Sequence, residues 1–198
     1  MKHTIFFDLG NVLIHFDHEQ MCRQIANYSG ISETQVQQLM LKYGDLYERG
    51  SISSKELYEE ICRVSSKALD FDILMHAVSD IFKPNEEVIS IFHQLKKKGH
   101  RIFLLSNTCE AHFTFASSHF PFIKQCDGYV LSYKVGARKP EIKIYEKALE
   151  IAGCQNKECF YTDDIFDYIE SARAIQIDAE QYTTPEALTQ HLYARRIL

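Results

Sequence analysis

The stretch Thr4-Ile5-Phe6-Phe7-Asp8-Leu9-Gly10-Asn11 decides the fold. Residues 4–7 form a short apolar run without polar alternation, the pattern of a buried strand, and Asp8 breaks it. Working outward, residues from about 18 to 98 show only helical spacing: Met21, Ile25 and Tyr28; Val36, Leu39, Met40 and Tyr43; Leu57, Ile61 and Val64; Val88, Ile91, Phe92 and Leu95. Ser32, Ser53 or Ser54, and Asn85 precede acidic residues and read as helix starts, while Gly30, Gly50 and Gly99 mark ends or turns. From about 101 the pattern alternates. Strands are expected at 102–105, 129–131, 159–161 and 175–177, and helices at about 109–119, 141–152, 166–174 and after Pro185. A lone strand, then consecutive helices, then alternation predicts an α/β chain interrupted after its first strand. Residues 1–15 plus 83–198 form a Rossmann-like, doubly wound parallel sheet, and 16–82 form an inserted helical cap subdomain.

Composition excludes several function classes. Lys plus Arg number 22 and Asp plus Glu 27, a net charge of −5, and the only basic clusters are Lys96-Lys97-Lys98 and Arg195-Arg196. Nucleic-acid binding needs clustered cations, so no nucleic-acid partner is expected. Hydrophobic content of 45% with 25% charged residues fits a globular chain and excludes disorder, collagen-like structure and a membrane span. The six cysteines, at 22, 62, 109, 126, 154 and 159, form no C-x-x-C pair and no zinc module. Reduced cysteines, and an opening Met1-Lys2-His3 that lacks the apolar stretch of a signal peptide, predict a cytoplasmic protein. Monomer and dimer are not distinguishable from the sequence.

Ligands of open parallel sheets bind beyond the carboxyl ends of the strands. Three expected strands end in reactive groups: Asp8 after the first, Ser106-Asn107 after the second, and Asp163-Asp164 after the fourth. Lys139 opens the helix before that last strand. The set suits phosphoryl transfer. Asp8 is a potential nucleophile. Ser106, the Asn107 amide and the following helix start make an anion pocket, and Lys139 adds a cation. Asp8, Asp163 and Asp164 cannot all stay ionised close together without compensation, and a hard divalent cation such as Mg²⁺ supplies it.

Four segments, in order, resemble the motifs of the haloacid dehalogenase superfamily, and the resemblance spans essentially the whole chain. They are Phe7-Asp8-Leu9-Gly10-Asn11-Val12, Leu105-Ser106-Asn107, Arg138-Lys139-Pro140, and Asp163-Asp164 followed by Ala172. The insert directly after the first motif is similar to the C1 helical cap. The segment from Tyr47 to Ser53 resembles the cap turn of the phosphoglycolate phosphatase and β-phosphoglucomutase group. The chain also resembles bacterial α-D-glucose-1-phosphate phosphatases and the N-terminal phosphatase domain of soluble epoxide hydrolase. The resemblance implies that Asp8 is nucleophile and metal ligand, with the Gly10 carbonyl, Asp164 and, through water, Asp163 on Mg²⁺. Ser106, Asn107 and Lys139 would hold the phosphoryl group, with Gly10 and Asn11 lining the substrate site. Ser106 and Lys139 join Asp8 as the catalytic set.

Two positions depart from the family pattern. Gly10 stands where most family phosphatases carry a second Asp, the general acid for the leaving alcohol, a device worth about 10²–10⁴-fold. Asp17, His15 and Asp167 are within chain reach as replacements. Tyr168 stands where many relatives have Asn. The expected function is a Mg²⁺-dependent phosphatase of a small phosphate ester such as a sugar phosphate, whose anomeric leaving group needs little protonation. A 2-haloacid dehalogenase using Asp8 at carbon is the enzymatic alternative, and a catalytically decayed binding protein is the other. Of the remaining candidates, Arg49 in the cap turn reads as solvent-facing, the cap tyrosines and phenylalanines as core, and Cys109 as inert.

Overall fold

The computed structural model describes residues 2–198. Met1, part of the leader expectation, lies outside the described residues. In chain order the elements are β1 (Thr4–Phe7), β2 (Ile14–Phe16), α1 (His18–Ser29), α2 (Glu33–Glu48), α3 (Ser54–Val64), α4 (Phe71–Ser79), β3 (Phe82–Pro84), α5 (Glu86–Lys97) and β4 (Arg101–Ser106). They continue with α6 (Glu110–His119), β5 (Gly128–Leu131), α7 (Ser132–Val135), α8 (Ile142–Ala152), β6 (Cys159–Asp163), α9 (Phe166–Ala174), β7 (Asp178–Gln181) and α10 (Pro185–Ala194).

Five strands make a parallel sheet in the order β5-β4-β1-β6-β7. All four residues of β1 are buried, because β4 and β6 flank it and both faces are covered. Ile5 and Phe7 face one apolar layer, with Val88, Phe92 and Leu192. Phe6 faces the other, with Ile144, Tyr145 and Ile169. From β1 the chain builds outward to β4 and β5, then returns to β6 and β7 on the opposite side. The switch point therefore lies between β1 and β6, where ligands of such sheets bind. Asp8 and Asp163 sit at its two strand ends.

The helices between β2 and β3 bury their own apolar cluster, including Met21, Ile25, Val36, Leu57, Ile61 and Leu74. Ser32 and Ser53 cap α2 and α3 with complete capping boxes. Asn85 precedes α5 but makes no cap bond, and its amide instead donates to the Val12 carbonyl at 2.9 Å and the Tyr182 hydroxyl at 3.0 Å. Two features differ from the expectations. β2 and β3 pair antiparallel, Ile14 opposite Pro84 and Phe16 opposite Phe82, a ribbon that no local signal announces. The last strand is Asp178–Gln181 rather than 175–177. Its acidic residues make ion pairs at the sheet edge, Asp178 with Arg195 and Glu180 with Arg173 and Arg195, so polar residues occupy an edge strand where the apolar reading pointed upstream. No helix among the described residues is long and apolar enough to cross a membrane. All six cysteines are free.

Candidate active site

β1 delivers Asp8 to the cleft, and its backbone N–H donates to the Thr162 carbonyl at 3.0 Å, extending the β1–β6 ladder by one bond. Lys139, only 2% exposed, reaches in from the segment before α8. Its Nζ lies 2.8 Å from Asp8 Oδ1 and 2.6 Å from Asp163 Oδ2, and it donates to the Leu105 carbonyl at 3.0 Å. Asp163 is fully buried. Besides Lys139 it accepts the Tyr161 hydroxyl and the Ile165 N–H at 2.9 Å. Its carboxylate anchors Lys139. Asp164, half-buried, accepts from the Asn11 amide at 3.3 Å. Asn11 adopts a φ of 53°, a left-handed conformation that Asn tolerates better than most residues.

Asn107 locks Lys139 from the β4 side. Its amide donates to the Lys139 carbonyl at 3.0 Å and its Oδ1 accepts the Lys139 N–H at 2.8 Å. The same amide donates to the Tyr168 hydroxyl at 3.3 Å, and the Tyr168 ring lies 5.1 Å from the ammonium. Tyr168 thus packs over Lys139 as a cation–π partner. Ser106 is buried at the end of β4.

The electrostatics follow from the burial. Desolvation pushes the Asp8 carboxyl up to about 7; Lys139 opposes the shift and Asp163 adds to it. Asp164 is also raised, by desolvation and then by Asp163. Burial works against the Lys139 ammonium, but the carboxylates of Asp163 and Asp8 outweigh it and its pKa rises. One ligand oxygen from each of Asp8, Asp163 and Asp164 lies within 4.8 Å of the others. Three carboxylates against one ammonium leave an excess of negative charge in a desolvated place. That donor set fits a hard divalent cation.

Asp8, Gly10, Asn11, Asn107, Lys139 and Asp164 line a cavity of about 150 Å³, walled also by Phe16, Glu48, Arg138, Ile165 and Tyr168. Gly10 has a local reason to lack a side chain: a Cβ there would meet Phe16 Cε1 at 2.8 Å. A side chain at position 10 could enter only if the Phe16 ring moved. None of the expected replacements lines this cavity. Asp17 is exposed and caps α1, accepting the Gln20 N–H at 2.8 Å. His15 is exposed on β2, and Asp167 is exposed at the start of α9.

Glu48 and Arg138 also border a second cavity of about 520 Å³, between the helices of the insert and the start of α6. Arg138 pairs with Glu48 at 2.8 Å and with Asp45. Arg49 is not free in solvent, since it pairs with Asp45 at 2.8 Å and Glu141 at 2.6 Å. Cys109 is buried and its thiol is pushed up to about 12, the inert state expected of it. Sequence reasoning missed Tyr161, Phe16, Glu48 and the second cavity. Only Tyr161 left a signal: two residues before Asp163, it shares that residue's face of the strand.

The family model described as haloacid dehalogenase-like hydrolase matches residues 5–180. The chain belongs to the haloacid dehalogenase-like hydrolases. Among family members of known structure, a Bacteroides thetaiotaomicron enzyme in complex with magnesium and inorganic phosphate matches with a TM-score of 0.82 at 22% identity, over 92% of this chain and 95% of that one. L-2-haloacid dehalogenase from Xanthobacter autotrophicus, with chloropropionic acid covalently bound, matches with a TM-score of 0.64 at 13% identity, over 100% of this chain and 85% of that one. At such identities the likeness is one of fold. A sesquiterpene phosphatase of Aspergillus oryzae is 22% identical over 131 residues, which make up 65% of this chain and 66% of that protein.

Proposed function

We propose that this haloacid dehalogenase-like hydrolase is a Mg²⁺-dependent phosphomonoesterase working through an aspartyl-phosphate on Asp8. The observation that carries the reading is the convergence of Asp8, Asp163 and Asp164, with Lys139 2.8 Å from Asp8, at a cavity of phosphoryl dimensions. Asp8, the Gly10 carbonyl and Asp164 would hold the cation, with Asp163 contributing through water. When bound, the cation supplies positive charge to the phosphoryl oxygens. Ser106 and the backbone N–H of Asn107, whose side chain is engaged by Lys139 and Tyr168, bind those oxygens with Lys139 and orient the group. The Asp8 oxygen not engaged by Lys139 attacks phosphorus in line. The ester P–O bond breaks, and its electron pair leaves on the alcohol oxygen, which takes a proton from solvent. A water then attacks phosphorus, the bond to Asp8 breaks, and the water proton departs with inorganic phosphate.

Residues 16–82 act as the cap that closes over this site, and the free thiols suit a cytoplasmic protein. With no acid at position 10, turnover depends on the leaving group, and anomeric or aromatic oxygens leave faster than ordinary alkoxides. Likeness to the fungal phosphatase and to the enzyme solved with magnesium and inorganic phosphate supports phosphate-ester chemistry. One observation favours attack of Asp8 on the carbon of a 2-haloacid: halide needs no acid at position 10. That chemistry has no use for the carboxylate cluster, so it stands second.

The deciding experiment is turnover of p-nitrophenyl phosphate with Mg²⁺, with EDTA, and in Asp8→Asn. Turnover should need Mg²⁺ and fall by about 10⁴-fold or more in the variant, the scale seen when a nucleophile is removed. Activity on a haloacid that survives EDTA, with none on the phosphate ester, would overturn the proposal.

A further inference from the structure

The cavity of about 520 Å³ is larger than the phosphoryl site and within the range of about 300–1,000 Å³ that encloses small ligands. Its lining is chemically one-sided. Met21, Cys22, Met40, Leu41, Leu57 and Val78 supply apolar and polarisable surface from four helices. Most of the polar groups on the wall are already engaged. Arg138 holds Asp45 and Glu48, the Tyr47 hydroxyl is bonded to Ser54 at 2.7 Å and to the Ala111 N–H at 3.2 Å, and His112 Nε2 donates to the Val78 carbonyl at 3.1 Å. A polyhydroxylated guest would lose its water bonds there and find few replacements, a cost of about 1–3 kcal/mol for each unsatisfied group.

We infer that this chamber holds the leaving group of the phosphate ester, and that the substrates are monophosphates of apolar alcohols rather than of sugars. The inference rests on the phosphatase reading and deepens it. Continuity with the chemistry comes from Glu48 and Arg138, which border both cavities. Phe16, at the Gly10 end of the phosphoryl cavity, continues the apolar surface: its ring lies 4.7 Å from that of His18, which lines the chamber. A phosphoryl group at Asp8 would thus send its hydrocarbon past the Glu48–Arg138 pair into the chamber.

Gly44 offers a clean test. It lies within α2 on the chamber wall, and a Cβ added there meets nothing within 4 Å. Gly44→Leu removes a helix-interior glycine, so the fold tolerates it, and its side chain occupies chamber volume. The measurement is kcat/KM with Mg²⁺ for n-alkyl monophosphates from butyl to decyl, below micelle-forming concentrations, beside glucose 1-phosphate and p-nitrophenyl phosphate. In the wild type, kcat/KM should climb about three- to fourfold per methylene until the chamber fills, the worth of one buried CH₂. In kcat/KM the buried chain should outweigh the poorer alkoxide leaving group, so decyl phosphate should exceed glucose 1-phosphate by at least about 100-fold even if its kcat is lower. In Gly44→Leu the decyl-to-butyl ratio should fall by about tenfold or more. A flat chain-length profile, a preference for the sugar phosphate, or an unchanged ratio in the variant overturns the inference while turnover of p-nitrophenyl phosphate leaves the phosphatase reading standing. No turnover of any phosphate ester with Mg²⁺ overturns both.

Discussion

At the floor of the cleft, Lys139 is 2% exposed, lies 2.8 Å from Asp8 and 2.6 Å from Asp163, and is locked through its backbone by Asn107. Across the cleft, Arg138 lies 2.8 Å from Glu48 and also pairs with Asp45, but these side chains are a quarter to a half exposed and face an apolar chamber. The two regions use similar residues for different ends. On the floor, burial makes each charge depend on its partner, so geometry is over-determined. Under the insert, the Arg138–Asp45 pair is partly exposed and worth roughly 0–1 kcal/mol, while burial holds the Glu48 carboxyl above its ordinary value despite Arg138 beside it. The proposed substrates, a small charged group carrying an apolar body, call for that asymmetry.

The largest effect should come from unpairing the floor. Lys139→Met keeps the approximate shape but leaves Asp8 and Asp163 buried without their cation. Breaking a buried pair in this way costs about 3–5 kcal/mol. Urea denaturation in EDTA should show that loss, and adding Asp8→Asn to Lys139→Met should restore part of it. If Lys139→Met costs under about 1 kcal/mol, the floor is no more committed than the surface pairs.

Next in size is the seam where the insert meets the sheet. Gly50 has a φ of 68°, and a Cβ there would sit 2.1 Å from the Tyr133 carbonyl oxygen. Gly50→Ala adds left-handed strain of about 1–2 kcal/mol and a backbone clash of similar size. It should cost about 2–4 kcal/mol in urea denaturation and raise KM for p-nitrophenyl phosphate, whereas Gly136→Ala, with a φ of 65° and nothing within 4 Å of the added carbon, should cost only the strain.

His112 makes the seam sensitive to acid. It donates from α6 to the Val78 carbonyl of α4, and burial, aided by His18, pushes its imidazole down to about 4. Between about pH 6.5 and 4 the unfolded chain therefore binds more protons at this group than the folded one. Stability from His112 is complete above pH 6.5 and is lost as pH falls toward 4, by on the order of 3 kcal/mol. His112→Gln keeps an amide donor and cannot titrate. Urea midpoints at pH 7 and 4.5 should differ more for the wild type than for this variant, and equal differences would remove His112 from the account.

The floor was legible because its residues follow strands whose apolar runs are unmistakable, and chain order alone aligned Asp8, Ser106, Lys139 and Asp163 at one sheet edge. Even there the reading was incomplete. Asn107 points back at the Lys139 backbone, and Asp163 is closed off by Tyr161 and Ile165. The chamber was not legible at all. Met21, Met40, Leu57 and Val78 belong to four helices, and their spacing reports only that each helix has an apolar face. Whether such faces meet tightly or leave 520 Å³ between them depends on how helices far apart in the chain are set by the β2–β3 ribbon. Periodicity does not encode that distance.

Phe16 joins the two regions, and the smallest effect concerns it. The ribbon carries its ring over Gly10, so an acid at position 10 must displace that ring to enter. Gly10→Asp by itself should gain little on an alkyl phosphate, because the new Cβ meets the ring at 2.8 Å. Phe16→Ala by itself opens space but supplies no proton. Together they should raise kcat on an alkyl phosphate roughly tenfold beyond the product of the single effects, a coupling of about 1.4 kcal/mol. The gain should be smaller on p-nitrophenyl phosphate, whose leaving group needs no acid. Multiplicative effects on both substrates would mean that the ring does not exclude the acid. The absence at position 10 would then reflect the leaving groups this site handles and not the room beside Asp8.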